Sequence, residues 1–265
     1  MKLKVIGSSS AGNGYVLENN NEALLIEAGV PLKKVKVAMD FEIHKVRGAL
    51  VSHGHLDHSG RISEYANAGI PVYSHSATFK GDNHLYIAVD SLRKGGSLMI
   101  GGFKVIPFEV VHDMPCLGFY INHEDIGNMV FITDTHYSPY TFKNLNHVLI
   151  ECNYDDKILD DNIKRGKLHP VVADRVYGSH ISLKTCKEFL TANDLSKVKN
   201  IVLLHLSDGN SNTKRFISEV QSLTGKPVWI ADKGLELELV GIKRTKLIKI
   251  EQKDIGRDYQ TQKRN

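Results

Sequence analysis

The run His53-Gly54-His55-Leu56-Asp57-His58 constrains this chain more than any other feature of its 265 residues. It follows an apolar segment, Ala49-Leu50-Val51, closed by Ser52. Four groups able to hold a metal ion fall within six residues. His53 and His55 are two apart, so on extended backbone both side chains point the same way and grip one ion together. Asp57 and His58 then fall on the turn into a helical stretch and reach a neighbouring ion. Imidazole and carboxylate ligands suit zinc, and also manganese or iron. A solvated loop gives no reason for three histidines and an aspartate at this density.

Two ions need further ligands, and the sequence offers three in equivalent places. His112 follows the apolar segment 103–111, Asp134 follows 129–133, and His205 follows 201–204. Alone, each is an ordinary loop histidine or capping aspartate. Together they put a ligand wherever a buried strand stops, which is where layered α/β folds build their sites. His180, in Tyr177-Gly178-Ser179-His180-Ile181-Ser182, stands at the entry to a helix and is a further candidate. His44, His75, His84, His123, His136, His147 and His169 are scattered and read as surface or structural. His136, close to Asp134, is the first exception to consider.

The order of segments is strands first, then strands mixed with helices. Strands are predicted at 3–6, 15–18, 23–27, 48–52, 72–74, 103–111, 117–122, 129–133, 147–151, 201–204, 228–231 and 236–240. Helices are predicted from Pro31 to about residue 39, over 59–68, over 184–192 with Ser182 as N-cap, and over 213–223. The class is α/β in the broad sense (α+β), with sheets covered by helices around one core. No repeat or linker interrupts residues 1–242, which form one domain. The turn Gly7-Ser8-Ser9-Ser10-Ala11-Gly12-Asn13-Gly14 has glycines where positive φ is needed. It also brings backbone close to a ligand, with Ser9 and Asn13 as candidate substrate contacts. Tyr137 and Tyr140 are packing residues that also suit the wall of a nucleotide pocket.

Charge separates the body from a tail. Residues 243–265 hold eight Lys/Arg and three acids, which leaves 26 basic and 27 acidic residues in 1–242. A duplex-binding domain carries a basic footprint on its folded part, and the totals show none here. The tail reads as a solvated end. No apolar run approaches the ~20 residues of a membrane span. The N-terminus goes straight into a strand with no apolar leader, so the expected location is the cytoplasm. Cys116, Cys152 and Cys186 are odd in number and widely spaced, which fits reduced thiols.

This ordered set resembles the dinuclear hydrolase branch of the metallo-β-lactamase superfamily. The resemblance runs from about residue 3 to residue 240. It implies a four-layer αββα sandwich holding two divalent metal ions, zinc or alternatively manganese. By that resemblance His53, His55 and His112 hold the first ion, Asp57, His58 and His205 the second, and Asp134 bridges them. Asp57 and His180 are the catalytic residues it implies. Asp57 handles the attacking water, and His180 contacts the phosphate or protonates the leaving group. β-Lactamases of this fold use a cysteine at the second ion where this sequence has a carboxylate, which argues against a β-lactam substrate.

The pieces Gly7–Gly14, Ile132-Thr133-Asp134-Thr135, Glu151-Cys152-Asn153-Tyr154, Ser179-His180-Ile181-Ser182 and Leu204-His205-Leu206-Ser207 are similar to two related groups. One is the anti-Pycsar phosphodiesterases, with which phages destroy cyclic nucleotide defence signals in the host cytoplasm. The other is the WalJ/YycJ-type DNA exonucleases. The expected substrate is a 3′,5′-cyclic nucleotide such as cyclic CMP, UMP, AMP or GMP, and the expected assembly is a homodimer. A nucleic acid cut by a WalJ/YycJ-type or RNase Z-like nuclease is the alternative. A glyoxalase II-like thioesterase is more remote, because the ~25 residues after Val240 are too few for its extra helical domain.

Overall fold

Strands buried on both faces read as unbroken apolar runs. Ala-Leu-Leu-Ile at 23–26 and Val-Leu-Ile at 148–150 are such runs, and every residue in them is buried. The computed structural model describes residues 1–90, 92 and 95–241, and the backbone of 251–252. In chain order its first half runs β1 (Lys2–Gly7), β2 (Gly14–Glu18), β3 (Ala23–Ile26), α1 (Leu32–Ala38), β4 (Val46–Leu50), α2 (Leu56–Ser59), α3 (Ile62–Asn67), β5 (Val72–Ser74) and β6 (Tyr86–Ala88). The second half runs β7 (Leu98–Ile100), β8 (Phe103–Val110), β9 (Cys116–His123), β10 (Gly127–Ile132), β11 (Tyr140–Thr141), β12 (His147–Glu151), α4 (Asp156–Lys164), α5 (Pro170–Ser179), α6 (Leu183–Ala192), β13 (Asn200–Leu204), α7 (Thr213–Thr224), β14 (Val228–Ile230) and β15 (Glu236–Glu238). A last short strand, β16 (Glu251–Gln252), pairs with β11.

Two seven-stranded sheets result, in the orders β15-β1-β2-β3-β4-β5-β6 and β14-β13-β12-β10-β9-β8-β7. The alternation of side chains along each strand assigns the layers. Leu24 and Ile26 of β3 meet Phe119, Phe131 and Leu149 of the other sheet in one apolar cluster. Their neighbours Ala23 and Leu25 face outward onto Leu32 and Val35 of α1 and Tyr65 of α3. On the far side, Val148 and Ile150 of β12 pack with Cys186 and Leu190 of α6 and Phe216 of α7. The order helix, sheet, sheet, helix is the αββα sandwich expected from the sequence.

Strand direction decides where the site falls. β9 is antiparallel to both β8 and β10, and β10, β12 and β13 are mutually parallel, so β8, β10, β12 and β13 all end at one edge. In the other sheet β1 and β3 run alike, and β4 is parallel to β3. At this edge the sheets are joined by Leu117 N donating to Ser52 O (3.0 Å) and by His205 N donating to Ser8 Oγ (2.9 Å).

Several expected elements differ in detail. The strand expected over 23–27 stops at Ile26, because Glu27 turns out of it with φ 65°. The helix expected over 59–68 is two short pieces, α2 and α3, and the first already begins inside the histidine run at Leu56. Helices α4 and α5 were not foreseen. Few of their residues face a core: α4 buries Leu159 and α5 buries Ala173, while Val171 and Val172 face outward. Their start signals are present, with Asp155 accepting from Ile158 N and His169 preceding Pro170. The tail expected at 243–265 lies outside the described residues except for the 251–252 backbone.

Candidate metal centre

Each candidate ligand sits where the chain leaves a strand at the shared edge. His53, His55, Asp57 and His58 follow β4, His112 follows β8, Asp134 follows β10, and His205 follows β13. Asp134 and His205 have positive φ, 43° and 53°. That backbone is uncommon outside glycine and costs on the order of 1 kcal/mol or more per residue, so the surrounding packing must hold it. Gly29 shows how tight the packing is. A Cβ there would lie 1.7 Å from Asp57 O and 2.8 Å from Asn13 N.

The side chains form three groups that could hold a metal ion, the second and third sharing Asp134 and His205. In the first, His55 Nδ1 lies 3.0 Å from His53 Nε2 and 3.2 Å from His112 Nε2. His53 Nδ1 is 2.8 Å from Ser52 Oγ, which fixes the ring and leaves Nε2 facing the group. In the second, His58 Nε2 is 3.3 Å from both Asp57 Oδ2 and Asp134 Oδ2. His205 Nε2 is 3.6 Å from Asp57 Oδ2 and is buried with no hydrogen-bond partner. The third joins Asp134, Glu151, His180 and His205. All seven residues expected as ligands therefore meet at one place, and His180 meets them.

Glu151 is the residue the sequence analysis passed over. It is fully buried at the end of β12. Its Oε1 accepts from His180 Nδ1 (2.6 Å) and lies 3.2 Å from His205 Nδ1. Its Oε2 accepts from Ile181 N (3.0 Å) and Thr135 N (3.4 Å). Glu27 is a second such residue, with Oε1 3.4 Å from His58 Nδ1 and Oε2 accepting from Ser52 N. Both carboxylates sit behind a histidine whose other nitrogen faces the group, and this fixes tautomer and ring orientation. Asn13 is also fully buried, and its amide lies against Asp57 O, Asp57 Oδ2 and His58 Nε2. Ser9 is part-exposed on the same loop. His136 lies beside the site without joining a ligand group, its Nδ1 donating to Tyr177 O (2.8 Å).

The electrostatics follow from four clustered acids. Asp57, Asp134, Glu151 and Glu27 form their ion pairs here only with histidines. Burial pushes the Asp134 carboxyl up, but His58 and His205 outweigh it and hold it well below the carboxylate range. Burial likewise opposes charge on His205, yet Asp134, Asp57 and Glu151 raise it to about 10. His53 goes the other way, driven well below its ordinary value by burial and by the neighbouring His58. The site thus gathers buried carboxylates around His58 and His205, with His53 pushed toward its neutral form on one side.

These residues fit metal ions. Two ligand atoms ~2.0–2.1 Å from one tetrahedral ion are about 3.4 Å apart. Separations of 3.3–3.6 Å in the second group match this better than they match good hydrogen bonds. The unpartnered His205 Nε2 is explained the same way.

A sequence model of the metallo-beta-lactamase superfamily matches residues 9–138, which include the histidine run, His112 and Asp134. The chain carries a metallo-β-lactamase superfamily domain. It is a metallo-hydrolase of that superfamily. The exodeoxyribonuclease WalJ of Streptococcus pneumoniae serotype 2 (strain D39) is 28% identical over 226 residues, covering 79% of this chain and 83% of WalJ. The anti-Pycsar protein Apyc1 of Paenibacillus harenae is 32% identical over 72 residues, 25% of this chain and 30% of that protein. The metallo-β-lactamase fold protein YhfI from Bacillus subtilis matches in structure with a TM-score of 0.66 at 18% identity, covering 89% of this chain and 99% of YhfI. No helix among the described residues is long and apolar enough to cross a membrane.

Proposed function

We propose that this metallo-hydrolase is a two-metal phosphodiesterase whose substrate is a 3′,5′-cyclic nucleotide. The observation that carries the phosphodiesterase reading is His180 Nδ1 on the buried carboxylate of Glu151, 2.6 Å away, beside the ligand groups. An imidazole held through Nδ1 presents Nε2 as a proton donor, as the departing alkoxide of a phosphodiester requires. In this reading His53, His55 and His112 would hold one ion and Asp57, His58 and His205 the other, with Asp134 available to both. The ions, zinc or manganese, lower the pKa of water toward neutrality and stabilise charge on the phosphate oxygens when bound. Asp57, kept ionised by His205 and His58 against the opposing effect of burial, orients the attacking water. The water oxygen bonds to phosphorus and sheds a proton to solvent by way of Asp57 as an ester P–O bond breaks, while His180 gives its proton to the leaving oxygen and is reprotonated from solvent. Asn13 holds Asp57 in place, and Ser9 on the rim is within the reach of substrate.

The body's slight negative balance and the similarity to Apyc1 support the cyclic substrate. The similarity to WalJ over most of the chain supports a second reading, a DNA end as substrate. Incubation of the metal-loaded protein with cyclic CMP, UMP, AMP and GMP, and separately with single- and double-stranded DNA, tests the choice. Conversion of a cyclic nucleotide to its monophosphate with DNA intact is expected. Degraded DNA with intact cyclic nucleotides would overturn the cyclic reading in favour of the second. The reading also includes a cytoplasmic homodimer, and light scattering on the purified protein checks the assembly.

A further inference from the structure

A cavity of about 370 Å³ adjoins the candidate metal centre on the side of His205. It lies between the glycine loop after β1, the loop from β13 to α7, and the turn after β14. His205 forms part of its wall, so the cavity touches the ligand groups through one of their own members. No expected ligand other than His205 lines it.

The lining has two characters. Ile6, Val30 and Ile230 supply an apolar surface. Hydroxyls of Ser9, Ser211 and Thr213 surround it, and Asp232 and Lys233 extend from an exposed turn. The Lys233 ammonium has no hydrogen-bond or ion-pair partner among the described residues. A flat apolar body with donors and acceptors along its edges, joined to a sugar bearing hydroxyls, suits such a wall. Cavities of roughly 300–1,000 Å³ are the usual size for small-ligand sites.

We infer that this cavity is a nucleoside subsite, receiving the base and sugar attached to the phosphate that the metal centre cleaves. The inference rests on the phosphodiesterase reading and adds to it a place for the nucleoside. The nucleoside is common to a cyclic nucleotide and to a DNA end, so the subsite serves either substrate. Backbone from the glycine loop and hydroxyls from the β13–α7 loop hold it, with no Phe, Tyr or Trp in the lining. Recognition then comes from edge hydrogen bonds.

Two measurements on the metal-loaded full chain separate this inference from the reading beneath it. The first is calorimetric titration with 5′-CMP and 5′-AMP. The second is hydrolysis of bis(p-nitrophenyl) phosphate, a diester with no nucleoside. Ser211→Trp and Lys233→Trp fill the cavity from two of its bounding segments, and Lys233 is an exposed turn residue, so at least that variant is expected to fold. The expected result is nucleotide binding by the native protein that weakens at least about tenfold in both folded variants. The ratio of kcat/KM for a nucleotide substrate to that for the simple diester is expected to fall by a similar factor. Absence of nucleotide binding by the native protein, or equal binding by native protein and variants, would overturn the subsite. Nucleotide binding that the variants lose, in a protein that cleaves no diester, would keep the subsite and overturn the phosphodiesterase reading. A WalJ-like preference would show as the same loss on a DNA end.

Discussion

Substituting Glu151 by glutamine removes one charge and keeps the shape, and the structure dictates how the amide must sit. Two backbone donors, Ile181 N and Thr135 N, point at Oε2, so the amide oxygen has to take that side. The NH₂ group then faces His180 Nδ1 and His205 Nδ1, where the carboxylate had accepted. Donor now meets donor unless both imidazoles move their proton to Nε2. A protonated Nε2 on His205 cannot bind a metal, and His180 loses the anion that stabilises its charged form. General-acid assistance is worth roughly 10²–10⁴ in rate. Losing the carboxylate behind a ligand histidine costs roughly 10–100-fold in metal affinity. The expected outcome is a fall of at least about a hundredfold in kcat/KM for bis(p-nitrophenyl) phosphate. Weaker zinc binding in competition with a chromophoric chelator should accompany it. Circular dichroism should remain native. A Glu151→Gln protein with native metal affinity and native rate would refute this account of the two histidines.

Three further predictions follow from buried groups. Gly29→Ala would set a methyl group 1.7 Å from Asp57 O, so the histidine loop must shift; metal binding should weaken even if the protein folds, and metal analysis of the purified variant checks it. Glu27→Gln should weaken metal binding by about 10–100-fold through His58, measured by the same chelator competition, with the apolar layers unaffected. His147 is held down to about 4 by burial and by Lys199, against an ordinary value near 6.5. The unfolded chain takes up its proton first as pH falls, so stability is unaffected above pH ~6.5 and lost progressively down to pH ~4, by up to about 3 kcal/mol. Urea midpoints at pH 7 and pH 4.5 should converge in His147→Leu relative to the native protein; an equal pH loss in both would exclude His147 as the cause.

The histidine run was legible because its chemistry is local, with four ligands in six residues. His112, Asp134 and His205 were legible because a polar ligand at the end of an apolar strand is conspicuous. Glu151 ends the apolar strand His147–Glu151 and satisfies the same rule, yet its partners lie 29 and 54 residues away and only the fold reveals them. Glu27 also follows an apolar run, and the Gly29 beside it marks a close backbone approach that spacing cannot show. Asn13 read as a substrate contact on the glycine turn Gly7–Gly14. The fold buries it against Asp57, 44 residues on, which no local pattern encodes. Sheets covered by helices were readable from the order of strands and helices, and the resemblance supplied the four layers. α4 was passed over although Ile158, Leu159 and Ile163 lie at helical spacing, while α5 buries only Ala173 and Ser179 and leaves little apolar stripe.

Metal content measured together with chelator-sensitive hydrolysis tests the central claim most directly. The account predicts about two zinc or manganese ions per chain, hydrolysis of bis(p-nitrophenyl) phosphate that a chelator abolishes, and recovery when the metal is returned. Diester hydrolysis that persists in metal-free protein would contradict it. So would a chain that binds no metal at all while its native circular dichroism shows it folded.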